Sequence, residues 1–305
     1  MLRSLRMGRQ LHEVAKLVDP DLVHAHWLPE YGWLAARERL HPLVCSAWGS
    51  DVFGVRGHAK RRSRFALGEA ELVLADSADL ARETSMLAGK DFPVEVVRSP
   101  LDLELFAPGD QKAAREALGL PDARLVVSMR GLGPIYNPVL LLEAFAVVLG
   151  AHPDVRLVLK RPAGKAPLEV TSTVDRLGLS GAVIMLGSVS LKQMPDVYRS
   201  ADVVVSVPSS DSSPRSVWEA FACGRPVVVS DLPWAHEELE HGRHALLTRL
   251  ETGEIAASIA RVLDDTAQAN RLGTESRALA MSELDPQRWL TRIDELYRSV
   301  AGSRR

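Results

Sequence analysis

The chain has 305 residues, 46% of them hydrophobic and 25% charged, and a formal net charge of −2. This length suffices for two domains of an ordinary globular enzyme, and the near-neutral charge argues against a general nucleic-acid-binding protein. No apolar run approaches the ~18 residues of a membrane span and no signal peptide is recognisable, so the chain is predicted to be cytoplasmic.

The first predicted element is an amphipathic helix over residues 2–18, in which leucines and valines recur at helical spacing between basic residues. We expect this helix to pack on a sheet; a helix lying on a membrane surface is the alternative. A short strand at 22–27 follows and ends in His24-Ala25-His26, and a second strand at 42–47 ends in Trp48-Gly49-Ser50-Asp51. A Gly-Ser turn at a strand end lets a ligand approach the backbone.

A basic run follows the second strand, with Arg56, Lys60, Arg61, Arg62 and Arg64 and no acidic residue among them. Such a run usually forms a solvated face; a surface for an anionic acceptor or for phospholipid is the alternative. The two cysteines, Cys45 and Cys223, are far apart in apolar contexts. They are predicted to be buried free thiols in a reducing compartment, with a disulfide or metal pair as the alternative.

The rest of the chain alternates short apolar strands with helical segments, after a proline- and glycine-punctuated connector at 99–109. The helix that starts at Pro138, with Asn137 as its cap, is apolar nearly all round and should be buried. The alternation predicts an α/β fold of doubly wound parallel sheets. Strands are predicted at 71–75, 94–97, 124–129, 155–159, 182–186, 202–207, after Pro226 and at 245–247, and helices at 77–87, 138–150, 167–178, 191–200, from Pro214 to Gly224, near Trp234 and in three later segments.

The most informative stretch is 206–231, which reads as a strand, a serine-rich loop, a helix and a second strand. Ser213 is a plausible N-cap for the helix, with Pro214 at its first position and Gly224 at its end. A polar loop between the carboxyl end of a parallel strand and a helix N-terminus is a common place for a phosphate-bearing ligand. Two carboxylates, Asp211 and Glu219, bracket this loop and helix start.

The chemistry of these residues suits a nucleotide sugar. Arg130, at the end of a predicted strand, offers a charge-assisted fork for a diphosphate, and the helix start after Ser212 and Ser213 offers N–H groups. Glu219 could accept hydrogen bonds from a ribose diol, and Asp211 from sugar hydroxyls. The alternatives remain a surface arginine, a surface carboxylate and a solvated turn residue, although a free carboxylate in the apolar helix of Glu219 would be costly.

The run from Asp211 over seven residues to Glu219, continuing Ala220 to Val228 as AFACGRPVV, resembles the E-x7-E motif and the following EAMACGxPVV segment of family 4 glycosyltransferases, which have the GT-B fold. Other segments resemble that family in the same order. They are Asp21 to His26 (PDvvHaH), Trp48 to Asp51 (HGSD), Leu103 to Pro108 (vD…F.P), and Gly187 to Val189 with Tyr198 to Asp202 (GxV…lY..AD).

The resemblance implies two Rossmann-like domains: an acceptor-side domain at 1–107, a donor domain at 108–285, and a last helix at 286–305 that packs back on the first. It also implies a retaining transfer from a UDP- or GDP-sugar to a glycan or lipid-linked acceptor, with no metal or other cofactor. Arg130, Asp211, Glu219 and His26 are then the candidate catalytic residues. Arg130, Glu219, Gly187, Val189, Ser212, Ser213 and Ser216 are the candidate donor-binding residues, with the backbone at 187–189 holding the base.

Several positions depart from the family pattern. Asp211 is one methylene shorter than the usual glutamate, Tyr136-Asn137-Pro138 occupies the place of the usual lysine, and Trp48 replaces a histidine. The first domain also starts one helix before the PDvvHaH-like strand and is predicted to be incomplete. The alternatives are therefore a donor-binding module without turnover, or another class of GT-B enzyme such as an epimerase or phosphorylase. Peripheral contact with an anionic membrane, at its inner face, is a further possibility; a nucleic-acid partner is not expected.

Overall fold

The computed structural model describes residues 2–89, 92, 94–160 and 164–302. The chain divides into two compact units: one runs to Pro100 and also includes the segment from Pro286 onward, and the other comprises Leu101–Asp285. The boundary between the two units lies after Pro100, whereas the sequence analysis places the domain boundary at 107–108.

The strands are β1 (Val23–His26), β2 (Leu43–Ser46), β3 (Leu72–Ala75), β4 (Val94–Val96), β5 (Leu125–Ser128), β6 (Arg156–Lys160), β7 (Val183–Leu186), β8 (Val203–Ser206), β9 (Val227–Ser230) and β10 (Leu246–Thr248). The α-helices are α1 (Leu2–Val18), α2 (Trp33–Arg37), α3 (Gly57–Glu69), α4 (Ala78–Ala88), α5 (Gln111–Ala117), α6 (Pro138–Ala151), α7 (Leu168–Arg176), α8 (Met194–Arg199), α9 (Arg215–Ala222), α10 (Pro233–Glu238), α11 (Thr252–Asp264), α12 (Thr266–Glu283) and α13 (Pro286–Gly302).

The sequence patterns do not predict α2, α3, α5 or the π-helical turn Leu28–Gly32 that precedes α2. Helix α3 contains the basic run and has 13 residues, of which only Ser63, Ala66 and Leu67 are buried, so its apolar pattern is weak. The other three elements have seven residues or fewer. Two turns of helix are too short for a clear 3.6-residue period, and such segments depend on tertiary packing for their stability.

The first unit contains a parallel sheet with the strand order β1-β2-β3-β4. Successive side chains of β2 and β3 face opposite sides, as strand geometry requires. Leu43, Cys45 and Val73 pack with the helices that connect the strands. On the other face, α13 places Ile293, Leu296 and Val300 against Val44, Leu72 and Leu74.

The second unit contains a parallel sheet with the order β10-β9-β8-β5-β6-β7. The chain runs outward from β5 to β7 and then returns to the other side of β5 with β8. Two buried clusters on opposite faces of this sheet show that it is doubly wound, as predicted. The point at which the strand order reverses, between β5 and β8, is where open α/β sheets bind their ligands.

The sequence analysis expected no apolar run close to the length of a membrane span, and the stretch around α6 shows that this expectation is wrong. The stretch Pro134–Ala151 is long and apolar enough by composition to cross a membrane, with a mean hydropathy of 1.6. A buried helix of a globular core passes the same test. Leu142 and Phe145 of α6 are fully buried in the core of the second unit, although Val147 is 57% exposed on the outer side. The composition of α6 therefore reflects its position in the core.

Both cysteines are buried free thiols, as predicted. Burial raises the pKa of Cys45 and of Cys223 to about 12, so each thiol stays protonated near neutral pH.

Candidate functional site

The candidate site of the second unit lies at the carboxyl edge of its sheet, at the switch point. Arg130 follows β5, and the loop at 207–214 follows β8 and leads into α9. Neighbouring strands lie roughly 4.8 Å apart, so side chains that follow β5 and β8 can meet. Two backbone-directed bonds join the two loops: Asn137 Nδ2 donates to the Val207 carbonyl at 2.9 Å, and the Ser209 N–H donates to the Ile135 carbonyl at 2.8 Å.

The guanidinium of Arg130 is the centre of this site. Its Nη2 donates to Asp211 Oδ2 at 2.5 Å, and its Nη1 donates to Ser216 Oγ at 3.1 Å. The guanidinium carbon lies 4.7 Å from the centre of the Tyr136 ring, a cation–π distance. A side chain at Gly131 would begin 2.8 Å from that ring, so the glycine leaves the ring room. One arginine therefore joins residues of three separate segments.

The carboxyl group of Asp211 is held in a poorly solvated place. Burial raises its pKa above the ordinary value, while the charge of Arg130 and the N–H of Ser212 act in the opposite direction. The Ser212 N–H donates to Asp211 Oδ1 at 3.0 Å. The charge of Asp211 consequently depends on Arg130, and a ligand that withdraws the guanidinium also changes the environment of this acid.

Glu219 lies within α9, one turn after Arg215, and is only 8% exposed. Its Oε2 accepts a hydrogen bond from the Tyr198 hydroxyl at 2.6 Å, and its Oε1 accepts one from Arg215 Nε at 3.1 Å. Burial, with Glu219 next to it, raises the pKa of Tyr198 well above its usual value, so the phenol remains a donor. The carboxylate is thus fixed in orientation and keeps further acceptor capacity for ligand hydroxyls.

The loop before α9 corrects the predicted cap. Pro214, not Ser213, is the N-cap residue, and the helix begins at Arg215. Ser213 has a φ of 54°, in the left-handed region. Its Oγ accepts a hydrogen bond from Trp218 Nε1 at 2.7 Å and donates one to Glu238 Oε2 at 3.2 Å. Those tertiary partners, rather than the N–H groups of α9, use the hydroxyl that the sequence assigned to capping.

Gly187 and Val189 do not join this cluster. They follow β7, which is two strands away from β5, a separation of roughly 10 Å. Gly187 is exposed and Val189 is half-buried. They lie at the same sheet edge as Arg130, and a ligand that contacts both Arg130 and residues 187–189 would have to be extended.

His26, the remaining candidate, belongs to the first unit and is exposed at the end of β1. Its ring centre lies 4.3 Å from that of His24 and 5.7 Å from that of Trp48. His24 is held between Tyr297, whose hydroxyl lies 2.6 Å from Nδ1, and Ser46, whose Oγ lies 2.8 Å from Nε2. Burial and the neighbouring His26 lower the pKa of His24 to about 4.

Three residues that contact Arg130 or Glu219 directly were not predicted: Tyr136, Tyr198 and Arg215. The Arg215–Glu219 pair has i,i+4 spacing and was recognisable once a helix was predicted there. Tyr198 precedes Glu219 by 21 residues and meets it only through the packing of α8 on α9, for which local sequence holds no signal. Within the described ranges no three His, Cys, Asp or Glu side chains form a metal-binding group. The absence of a metal requirement stays a prediction.

Two family models match the chain. The model of glycosyl transferases group 1 matches residues 110–279, and the model described as glycosyl transferase 4-like matches residues 2–77. The first covers more than half of the chain and contains Arg130, Asp211 and Glu219.

Relatives of known name agree with these models. The chain is 35% identical over 228 residues to a D-inositol 3-phosphate glycosyltransferase of Segniliparus rotundus, which covers 69% of this chain and 51% of the relative. It is 34% identical over 303 residues to a protein of the same name from Mycolicibacterium smegmatis, covering 92% of this chain and 67% of the relative. The chain thus spans between about half and two thirds of the length of these relatives.

Solved structures share the fold. The Anabaena protein HepE in complex with UDP superposes with a TM-score of 0.83 at 23% identity, over 96% of this chain and 82% of that one. A sucrose-phosphate synthase from Thermosynechococcus elongatus superposes with a TM-score of 0.85 at 20% identity, over 97% of this chain and 78% of that one. At this identity the likeness concerns the fold alone, and it confirms the predicted GT-B class with two Rossmann-like α/β units.

Proposed function

Because the chain belongs to the group 1 glycosyl transferases, we propose that it transfers a sugar from a nucleoside-diphosphate sugar to an acceptor hydroxyl, with retention at the anomeric carbon. The observation that carries this proposal is the Arg130 cluster at the switch point of the second sheet. It brings a guanidinium, the half-buried carboxylate of Asp211, the buried carboxylate of Glu219 and a helix start to one edge of the sheet.

The negative charges of the donor diphosphate would hold the donor at this edge of the sheet. The fork of Arg130 suits a diphosphate, and the first N–H groups of α9 add donors without intrahelical partners. In the structure Asp211 neutralises Arg130. Donor phosphates would compete with Asp211 for the guanidinium and leave this acid to the sugar hydroxyls. Glu219, held by Tyr198 and Arg215, would accept the ribose diol.

Uridine is the base that we propose. Structures of HepE are described as complexes with UDP and with UDP-glucose, which supports testing UDP before GDP. The backbone at 187–189, roughly 10 Å from β5, would hold the base. That distance fits a nucleotide whose diphosphate lies on Arg130 and whose base lies toward the outer strand.

The chemical step would depend on electrostatic stabilisation. As the bond between the anomeric carbon and the diphosphate oxygen breaks, negative charge grows on the leaving diphosphate, where Arg130 and the α9 start stabilise it. The acceptor oxygen then forms the new bond on the same face of the sugar, and its proton passes to the departing phosphate oxygen. We assign no nucleophile to the protein and no metal to the reaction. His26, in the first unit, is also proposed as a catalytic residue.

The acceptor is proposed to be a glycan or lipid-linked carrier with a free hydroxyl. Two of the relatives are named for D-inositol 3-phosphate, so this phosphorylated cyclitol is the first acceptor to assay. Turnover of a UDP-sugar with this cyclitol, but not with glycan acceptors, would replace the proposed acceptor class.

The test uses Arg130→Ala and Glu219→Ala, with Arg243→Ala as a control because Arg243 is a half-exposed arginine in surface ion pairs of the same unit. Loss of a preorganised charge at the reacting group should lower kcat/KM about 10²- to 10³-fold, while circular dichroism stays unchanged. Calorimetric titration with UDP should show weaker binding for Arg130→Ala. Full activity in both site variants would refute these assignments. UDP binding by the wild-type chain without turnover of any donor would favour the donor-binding module.

We also propose that the protein is cytoplasmic and that α3 makes a peripheral contact with the inner face of an anionic membrane. Arg62 lies 4.1 Å over the Trp33 ring and Arg64 Nε donates to the Leu87 carbonyl, so these two basic residues are engaged within the protein. Lys60 and Arg61 are exposed, and Phe65 beside them is 45% exposed. Sedimentation with vesicles rich in phosphatidylglycerol tests this surface: binding at low salt should be lost in Lys60→Glu/Arg61→Glu, and no wild-type binding would exclude it.

A further inference from the structure

A buried chain of hydrogen bonds adjoins the candidate donor site, and the proposed chemistry does not use it. Trp218 Nε1 on α9 donates to Ser213 Oγ at 2.7 Å, and Ser213 Oγ donates to Glu238 Oε2 on α10 at 3.2 Å. Ser213 is 8% exposed and Trp218 is 3% exposed, so water has little access to these bonds. We call these three residues the Ser213 relay. It joins the loop before α9 to two helices.

The direction of each bond in the Ser213 relay follows from its chemistry. An indole N–H can only donate, so the Ser213 oxygen accepts from Trp218. An ionised carboxylate can only accept, so the single hydroxyl proton of Ser213 goes to Glu238. A phosphate also needs a donor, and this proton is already used. The Ser213 hydroxyl is thus engaged within the protein before any donor arrives.

Ser213 also has a backbone conformation that needs support. Its φ of 54° lies in the left-handed region, which is unfavourable for residues that carry a Cβ. Such conformations persist only where the surrounding structure holds them, and they are concentrated at ligand sites and switch regions. Here the side chain of the strained residue is bonded on both sides, to α9 and to α10.

The relay lies between the two acids of the candidate site. On one side, Ser212 directly precedes Ser213, and the Ser212 N–H donates to Asp211 Oδ1 at 3.0 Å. On the other side, Trp218 directly precedes Glu219 on α9. A change in the conformation of Ser213 would therefore move both the N–H that holds Asp211 and the start of α9.

We propose that the Ser213 relay positions the loop at 207–214 for donor binding, with Trp218 and Glu238 as positioning residues. The relay holds Asp211 against Arg130 and directs the first N–H groups of α9 at the diphosphate. It acts without contacting the donor. The effect on the donor rests on the proposed function, whereas the effect on the order of the loop does not.

Amide hydrogen exchange of the full chain without ligand tests the order of the loop. The Ser212 amide donates a hydrogen bond within this loop, so its exchange reports loop opening. Ser213→Ala and Glu238→Ala each remove one member of the relay and leave its partners unsatisfied. Each should raise the exchange rate in 207–214 about tenfold or more, because the loop opens more often.

Two further variants separate this role from a general loss of packing. Ser200→Ala removes another buried hydroxyl of the same unit, which donates to the Val197 carbonyl at 2.7 Å, and it should leave exchange in 207–214 as in wild type. Glu238→Gln keeps an oxygen that can accept from Ser213, so its exchange should stay within about threefold of wild type. Glu238 is half-buried, so its variants should fold even if Ser213→Ala does not.

Calorimetric titration with UDP measures the effect on donor binding. Ser213→Ala and Glu238→Ala should each raise the Kd for UDP about tenfold. The double variant should lie within about threefold of either single variant, because both changes break the same relay. Ser200→Ala and Glu238→Gln should bind UDP within about threefold of wild type.

The two measurements distinguish a failure of this inference from a failure of the proposed function. Unchanged exchange in 207–214 of Ser213→Ala and Glu238→Ala would overturn the proposal, whatever their affinity for UDP. Faster exchange with wild-type UDP affinity would remove the positioning role. Glu238→Gln behaving as Glu238→Ala does would remove Glu238 from the relay, because its charge would then matter rather than its bond to Ser213. If the wild-type chain does not bind UDP, the proposed donor is wrong, and exchange still decides whether the relay holds the loop.

Discussion

Burial shifts the pKa of one titratable residue in each of the two clusters, Asp211 in the second unit and His24 in the first. Burial raises the pKa of Asp211 and lowers that of His24, because in both cases it disfavours the charged form. Asp211 has Arg130 as a compensating charge. For His24, the neighbouring His26 lowers the pKa further. His24 is therefore neutral near pH 7 in the folded protein.

We expect His24 to make the first unit sensitive to acid. Its pKa is 6.5 when unfolded and about 4 when folded, so the unfolded chain takes up the proton first as the pH falls. The stability contributed by neutral His24 is complete above pH ~6.5 and is lost as the pH falls toward 4, by about 1–2 kcal/mol after discounting for partial exposure.

Urea denaturation at about pH 7.5 and about pH 5 measures this effect. His24→Gln, which cannot titrate, should lose less stability than wild type between the two values. His58→Gln, at an exposed position on α3, should leave the pH dependence as it is in wild type. Equal losses in wild type and His24→Gln would contradict the predicted role.

Among the elements, α9 has the largest part in the candidate site and is one of the shorter helices. It has eight residues, too few to be stable alone, so its position depends on what packs against it. Val217, Trp218 and Phe221 lie in the core of the second unit. At its end, Gly224 adopts a left-handed φ of 69° and meets α12 at Gly273. Close backbone contact between α9 and α12 thus positions Glu219 and Ser216.

Gly273→Ala tests this contact. A Cβ at this position would lie 2.3 Å from the Gly224 carbonyl oxygen, which is backbone and cannot rotate away. We expect a loss of about 1–3 kcal/mol of unfolding free energy and weaker UDP binding, because α9 must shift. Gly150→Ala on α6, where nothing lies within 4 Å of the added methyl, should instead gain about 0.5–1 kcal/mol. Denaturant unfolding of both variants measures these changes. Equal changes in unfolding free energy for Gly273→Ala and Gly150→Ala would mean that α9 and α12 are not closely packed.

At the scale of the whole molecule, the first unit is built from two separate parts of the chain, one at each end. The first unit needs the last helix, because α13 covers one face of its sheet with Ile293, Leu296 and Val300. The second unit is a continuous segment between them. Each unit has its own buried core, so each should respond separately to a change confined to it.

Calorimetry should therefore resolve two responses. Leu296→Ala, at a buried position, should destabilise the first unit by about 2–4 kcal/mol, whereas Leu290→Ala on the same helix, half exposed, should have little effect. UDP at about 100 times its Kd should stabilise the second unit by ~2.7 kcal/mol in both variants. A single transition that both changes move together would show that the units unfold as one.

The sequence by itself determined the local features. Valine-rich runs, proline and glycine punctuation and serine-rich loops specify the parallel strands and most helices, and they place Arg130 and Asp211 after strands of one sheet. The motif around Glu219 indicated the family before any contact was known. These features were predictable because burial pattern, turn chemistry and motif spacing are encoded within about 20 residues.

Only the tertiary structure decided the contacts between distant segments. The reversal of strand order brings Arg130 against Asp211 and Ser216, more than 80 residues away in the chain. Tyr198 reaches Glu219 through helix packing, Tyr297 reaches His24 across 273 positions, and the hydroxyl of Ser213 goes to Trp218 and Glu238 instead of capping α9. Each of these contacts depends on where two packed elements place their side chains, and local sequence does not encode that position.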